Sequence, residues 1–292
     1  MAKTVLILGP SGKIGLHFAH AFARHGWEVR PYKRGTDMNS AAQGCDVIVN
    51  GLNPPKYHDW ATIIPAITTQ ILGAAKASGA TVIVPGNVYV YGDQAGPWAE
   101  NTPHKPVSRK GEIRKVMEAR YRKASEDGTR VIMLHAGDFI DPDSKTDMLG
   151  LITLSSLHAG KITATGQRDI KRAYAYLPDL AEVAVQLAEL ADLPAYADVP
   201  VTGLTFSFND LKGEIEDQTG RKLKVTKFPW WAMTLAAPFW ELARELREMR
   251  YLQDTPHSLS GTRLAQLLPD FKATPFQEVI SRSLAANGVT RS

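Results

Sequence analysis

The chain has 292 residues, 44% of them hydrophobic and 22% charged, a globular composition that excludes disorder, collagen-like repeats and coiled coils. Its 34 basic and 30 acidic side chains leave a net charge of +4, too mild an excess to argue for nucleic-acid binding. A lone cysteine, Cys45, excludes an internal disulfide or a cysteine-rich zinc site and fits a reducing cytoplasm.

Residues 4–8 form an apolar run that reads as a buried strand. It is too short for a signal peptide and lacks a cleavage site, so no targeting signal is expected. Residues 13–25 read as a helix, 27–32 and 47–49 as strands, and 59–78 as a helix. A strand at 81–84, a helix at 109–126 and a strand at 130–134 follow. Strands without polar alternation, separated by helices, predict a parallel sheet covered on both faces: an α/β, doubly wound, Rossmann-type domain.

The second half changes character. Residues 205–208 and 222–225 read as short strands around a helix capped by Asn209 and ending at Gly220. A long helix is predicted from Trp231 to Tyr251, its aromatic residues mostly core. A half-buried helix is favoured there over a membrane-surface one. The expected organisation is a dinucleotide-binding domain of residues 1–140 and 174–200. A smaller α+β substrate domain takes 141–173 and 201–292.

The strongest motif is Gly9-Pro10-Ser11-Gly12-Lys13-Ile14-Gly15, which leaves a buried strand and opens a helix. Glycines let the backbone turn tightly and let a pyrophosphate approach the helix N-terminus, where free N–H groups and the dipole favour negative charge. The second strand ends Tyr32-Lys33-Arg34. An acid there would select the 2′-hydroxyl of NAD, whereas Lys33 and Arg34 favour the 2′-phosphate of NADP. NADP is therefore the expected cofactor, ahead of NAD.

These residues resemble the extended and atypical short-chain dehydrogenase/reductase superfamily, the NAD-dependent epimerase/dehydratase type. The resemblance extends through Asp46–Asn50, a strand beside the cofactor, and Asn87-Val88-Tyr89-Val90-Tyr91-Gly92, similar to the family's strand end finishing in Tyr-Gly. It continues through Glu100-Asn101-Thr102-Pro103 and Tyr176-Leu177-Pro178-Asp179-Leu180-Ala181. About eleven residues separate Arg34 from Asp46, too few for the usual helix, third strand and helix, so this sheet edge is expected to be cut down. The resemblance implies Asp37 and Met38 near the adenine, and Gly51 and Leu52 in the cofactor site.

The family's catalytic Tyr and Lys fall on Lys110 and Arg114, and its hydroxyl residue on Asn87. Like-charge repulsion from Arg114 would favour a neutral Lys110, which makes Lys110 a candidate proton carrier. Arg114 would hold the nicotinamide ribose, and Asn87 would polarise a substrate oxygen. Tyr89 and Tyr91 are reserve proton donors. The resemblance also makes Tyr89, Tyr91, His135 and Arg172 candidate substrate-binding residues. A metal is not expected: His17 and His20 share a helix face without a third ligand. The basic run 109–123 reads as a solvated helix face, and the helices at 59–78 and 109–126 resemble those that build homodimers in this superfamily. The expected function is an NAD(P)-dependent oxidoreductase or epimerase-like enzyme acting on a small carbonyl or hydroxyl compound, or a nucleotide sugar. The alternative is a non-catalytic NADP(H) sensor.

Overall fold

A computed structural model describes residues 2–144 and 146–289. The limits set at 1 and at 290–292 for the two expected domains lie outside these residues. In chain order the elements are β1 Thr4–Leu8, α1 Lys13–Arg24, β2 Glu28–Pro31, α2 Met38–Ala42, β3 Val47–Asn50 and α3 Trp60–Ser78. Then come β4 Thr81–Pro85, α4 Arg109–Glu126, β5 Val131–His135, β6 Asp138–Ile140, β7 Lys161–Ala164, β8 Arg172–Tyr176 and α5 Leu177–Glu189. The chain closes with β9 Tyr196–Pro200, β10 Leu204–Phe206, α6 Phe208–Thr219, β11 Lys224–Lys227, α7 Trp230–Ala236, α8 Glu241–Glu248, α9 Thr262–Leu267 and α10 Phe276–Ala286.

The main sheet is fully parallel, in the order β2-β1-β3-β4-β5-β9. Its strands are apolar throughout because both faces are covered. Alternation along β1 sends Val5 and Ile7 into the core under α1 and α5, and Leu6 and Leu8 into the core under α3 and α4. All four are fully buried, which at about 1.5–3 kcal/mol for each large side chain makes β1 the anchor of both layers. The expected doubly wound fold is observed. At the edge, β2 has no outer neighbour among the described residues, and α2 is five residues long, as the short Arg34–Asp46 connection requires.

A three-stranded sheet, β10-β8-β6, and a parallel pair, β11-β7, lie outside the main sheet. Helix α6 starts two residues earlier than an Asn209 cap would place it. Ser207 is the N-cap, in a capping box with Asp210, and Gly220 closes the helix. The long helix expected from Trp231 to Tyr251 is interrupted after Ala236, next to Pro238. It resumes as α8 and ends in a 3-10 turn, Met249–Gln253. Its aromatic residues are less buried than expected: Trp231 is 71% exposed and Phe239 94% exposed. No helix among the described residues is long and apolar enough to cross a membrane.

Helix α4 turns Arg109, Arg122 and Lys123 to solvent, as its basic composition implies, but it also buries charge. Lys110, Arg114, Glu118, Tyr121 and Ser125 recur at three- and four-residue spacing on its buried stripe. The Lys110 amino group meets the carboxylates of Glu245 and, at 2.7 Å, Glu248, while the Lys110 backbone N–H donates to Glu248 at 2.8 Å. Lys110 thus ties α4 to α8. At the other end of α8, Glu241 pairs with His58 at 3.0 Å. Lys110→Met strands two half-screened carboxylates, and should lower stability by about 2 kcal/mol in urea unfolding.

Candidate functional site

The site is built where β1, β3 and β4 deliver their C-terminal ends. Gly9 leaves β1 at φ +73°, a left-handed conformation that glycine adopts without penalty. The turn then passes so close to α1 that a Cβ on Gly15 would lie 2.1 Å from the Gly9 carbonyl oxygen. A Cβ on Gly51, after β3, would lie 2.5 Å from the Leu8 carbonyl oxygen. Gly12 is the N-cap of α1, with no side-chain cap and no acidic residue in the first turn. The first-turn N–H groups of Lys13, Ile14 and Gly15 precede the first i→i−4 bond, from Leu16 to Gly12, and have no side-chain acceptor among the described residues. Pro10, Ser11 and Gly12 form the outer turn, half-buried or exposed.

Two cavities share the Leu52–Pro55 segment as a wall. The inner one, about 350 Å³, is lined by Lys13, Ile14 and Gly51 at one end and by Asn87, Tyr89 and Arg114 at the other. The outer one, about 780 Å³, is lined by Tyr32, Arg34, Asp37 and Met38. Lys33 is exposed and lines neither. Asp37 caps α2: its carboxylate accepts from the Ser40 N–H and hydroxyl, both at 2.7 Å, and these bonds hold it below the usual carboxylate range. Arg30 donates to the carbonyls of Ala41 and Gln43, which leaves Arg34 as the cation facing the outer cavity.

The Asn87 side-chain oxygen accepts from the Tyr89 N–H at 3.1 Å, which leaves its amide nitrogen as a donor at the inner cavity. The Tyr89 hydroxyl lies 3.1 Å from that of Tyr57. Burial pushes both phenols up, Tyr89 the further, so both stay protonated at neutral pH. Arg114 donates to the Asn53 side chain at 2.7 Å and lies over the Trp60 ring at 4.7 Å. Burial lowers its pKa from the usual value, and it remains a cation. Its Nε has no partner among the described residues. Lys56 and Tyr57 lie in the left-handed region at φ 55° and 63°, and Asp59 at 41°. Two of these three non-glycine residues, Lys56 and Tyr57, line the inner cavity, so strain is stored on its wall.

Four expected site residues, Lys110, Tyr91, His135 and Arg172, do not line the inner cavity. The expected repulsion from Arg114 is replaced by attraction to Glu245 and Glu248, and the Lys110 amino group lies 5.2 Å over the Tyr57 ring. Tyr91 is 1% exposed and stacks on Trp98 at 4.9 Å. His135 is fully buried between Glu118 and Asp198, away from both cavities. Arg172 lines a small neighbouring cavity that shares Asp138 and Met148 with the inner one, and donates to Gln253 at 2.6 Å. His17, on α1, bonds Asp141 at 3.0 Å rather than pairing with His20.

Sequence reading missed Tyr57, Asn53 and Asp138. The Pro54-Pro55 pair after β3 signals a loop where such sheets bind ligands, and that signal was available. The left-handed backbone that carries Tyr57 to Tyr89 has no sequence signature.

No protein-family model matches the chain, and no curated protein matches it. Solved structures do. A UDP-glucuronic acid 4-epimerase from Bacillus cereus, in complex with UDP-glucuronic acid and NAD, superposes with a TM-score of 0.76 at 14% identity. The match covers 97% of this chain and 98% of the epimerase. A nucleoside-diphosphate-sugar epimerase from Pseudomonas aeruginosa gives 0.72 at 15% identity over 100% of both chains. An NAD-dependent NDP-hexosamine 5,6-dehydratase gives 0.75 at 15% over 98% of both. The chain has the fold of these proteins from end to end.

The glycine contacts yield a direct expectation. Gly15→Ala forces α1 away from the Gly9 carbonyl and should destabilise the protein by about 1–3 kcal/mol, read as a lowered midpoint in thermal unfolding.

Proposed function

We propose that this protein is an NADP-dependent oxidoreductase or epimerase-like enzyme acting on a nucleotide sugar or a related small carbonyl or hydroxyl compound. The carrying observation is the pair of cavities that runs from Arg34, past the N-terminus of α1, to Asn87, Tyr57, Tyr89 and Arg114. The glycine cradle fits a dinucleotide: any Cβ at Gly15 or Gly51 would fill the space where backbone meets backbone. Gly9, Gly12, Lys13, Ile14, Gly51 and Leu52 would hold the diphosphate end, with Asp37 and Met38 by the adenine. The structural neighbours in complex with NAD support a nicotinamide dinucleotide. The preference for NADP rests on Arg34 facing the outer cavity while the Asp37 carboxylate is engaged by Ser40. A homodimer through α3 and α4 remains part of this reading, supported by a groove at Ile64, Pro65 and Val116 on their outer faces.

When bound, the nicotinamide supplies or accepts the hydride. Arg114 positions the adjoining ribose through its guanidinium. Asn87 donates an amide N–H to the substrate oxygen. The Tyr57–Tyr89 pair replaces the proton donor that Lys110 does not provide: a protonated phenol gives its proton to the oxygen as negative charge develops there, and the second hydroxyl hydrogen-bonds the phenolate left behind. Arg114 stabilises that phenolate through its charge. Asp138 and Arg172 bound the substrate end.

Titration with NADPH and NADH, followed by energy transfer from tryptophan to nicotinamide, tests the cofactor. Arg34→Glu should weaken NADPH at least tenfold and leave NADH within about twofold. Turnover on a panel of UDP-sugars, aldehydes and ketones tests the chemistry. Tyr57→Phe and Tyr89→Phe should each lower kcat by about 10²–10⁴ with dinucleotide affinity retained. Tight NADPH binding with silence across the panel would favour the non-catalytic sensor, and absence of binding by either dinucleotide would overturn both readings.

A further inference from the structure

Behind the cleft lies a second group of chemistry-bearing side chains, apart from both cavities. His135 ends β5 and is fully buried, and Glu118 on the inner stripe of α4 is 1% exposed. His104 comes from the loop between β4 and α4, and Asp198 from β9. The Glu118 Oε2 lies 3.2 Å from His135 Nε2 and 3.5 Å from His104 Nδ1. The ligand atoms of His104, Glu118 and His135 all fall within 4.8 Å of one another. On its other side, His135 Nδ1 meets Asp198 Oδ1 at 2.8 Å.

An ion-pair network accounts for part of this arrangement. Both ring nitrogens of His135 face carboxylates, and Arg122 reaches Asp198 at 3.6 Å. It does not account for Glu118 Oε1, which is buried and has no hydrogen-bond partner among the described residues, nor for the buried hydroxyl of Tyr91, packed against His135 and likewise without one. Buried polar atoms without partners are rare and require an explanation. Nor does it explain why a second imidazole converges on the same carboxylate.

We propose that His104 Nδ1, His135 Nε2 and the Glu118 carboxylate bind a divalent ion of the zinc class, with Asp198 as the outer partner that orients His135. Two imidazoles and one carboxylate form a donor set that zinc prefers over magnesium or calcium, which take oxygen ligands. Ligands about 2.0–2.2 Å from a tetrahedral ion lie roughly 3.4 Å apart, and the two separations to Glu118 bracket that spacing. A carboxylate on the far nitrogen of a metal-bound histidine fixes its tautomer and raises its basicity, which is the relation Asp198 bears to His135. The proton on Nε2 leaves to solvent when the metal takes its place. His104 keeps 22% of its side chain exposed and provides the entry path. The ion would staple the loop after β4, α4, β5 and β9 together, and would sit one helical turn from Arg114 through Glu118.

The test uses the full chain, stripped with a chelator and titrated with zinc alone by calorimetry. The expected result is one equivalent bound, with a rise in Tm that the chelator reverses. His104→Ala, at a half-buried loop position, should weaken binding at least 100-fold, and Asp198→Asn by about 10–100-fold. His20→Ala, at an exposed histidine of α1, should leave affinity unchanged. X-ray absorption should report two imidazole nitrogens and carboxylate oxygen around zinc. No heat with zinc, or binding that persists unaltered in folded His104→Ala and Glu118→Gln, would overturn the proposal. None of these readouts depends on dinucleotide binding or turnover.

Discussion

At the ends of β1 and β3 three stretches of backbone meet with no side chain between them. Gly9, Gly15 and Gly51 stand so close that carbonyl oxygens occupy the space a methyl group would need. That contact fixes the start of α1 against the C-terminal ends of β1 and β3, where its first-turn N–H groups make no i→i−4 bond. Both cavities take their position from it, because Lys13, Ile14 and Gly51 line the inner one and the chain leaving Gly51 forms the wall they share. A tight backbone junction is therefore the origin of the site, and the side chains further along the cleft are arranged around it.

The opposite end of the cleft obeys a different constraint. Helix α4 buries a stripe of charged residues, and each must find a partner or neutralise. Lys110 finds Glu245 and Glu248, Arg114 finds Asn53 and the Trp60 face, and Glu118 finds His135. Successive turns of one helix thus serve as a tie to α8, a wall of the cleft and a buried polar centre.

Much of this was legible in the amino-acid order. Continuous apolar runs reported two-sided burial, as the split of Val5 and Ile7 from Leu6 and Leu8 shows. The glycine spacing located the helix N-terminus, and the short Arg34–Asp46 connection announced a missing outer strand. Illegible features had non-local causes. Nothing near Lys110 reveals carboxylates more than 130 positions away, and the composition of α4 hid an i,i+4 run of buried charge that periodicity alone exposes. Tyr57 reaches Tyr89 through backbone angles unusual for its residue type, so no propensity foretells it. The stretch from Trp231 carries a continuous apolar pattern that suggests one helix, and the break beside Pro238 comes from backbone chemistry that such a pattern does not register.

The tie between Lys110 and α8 also bears on mutational tolerance. Any single change that deletes this cation leaves Glu245 and Glu248 facing each other across a poorly hydrated gap. Replacement without loss therefore needs coordinated change at three positions, with weakened intermediates in between. Such epistasis acts as a ratchet: while the C-terminal segment leans on the ammonium group, the position is not free to vary one mutational step at a time.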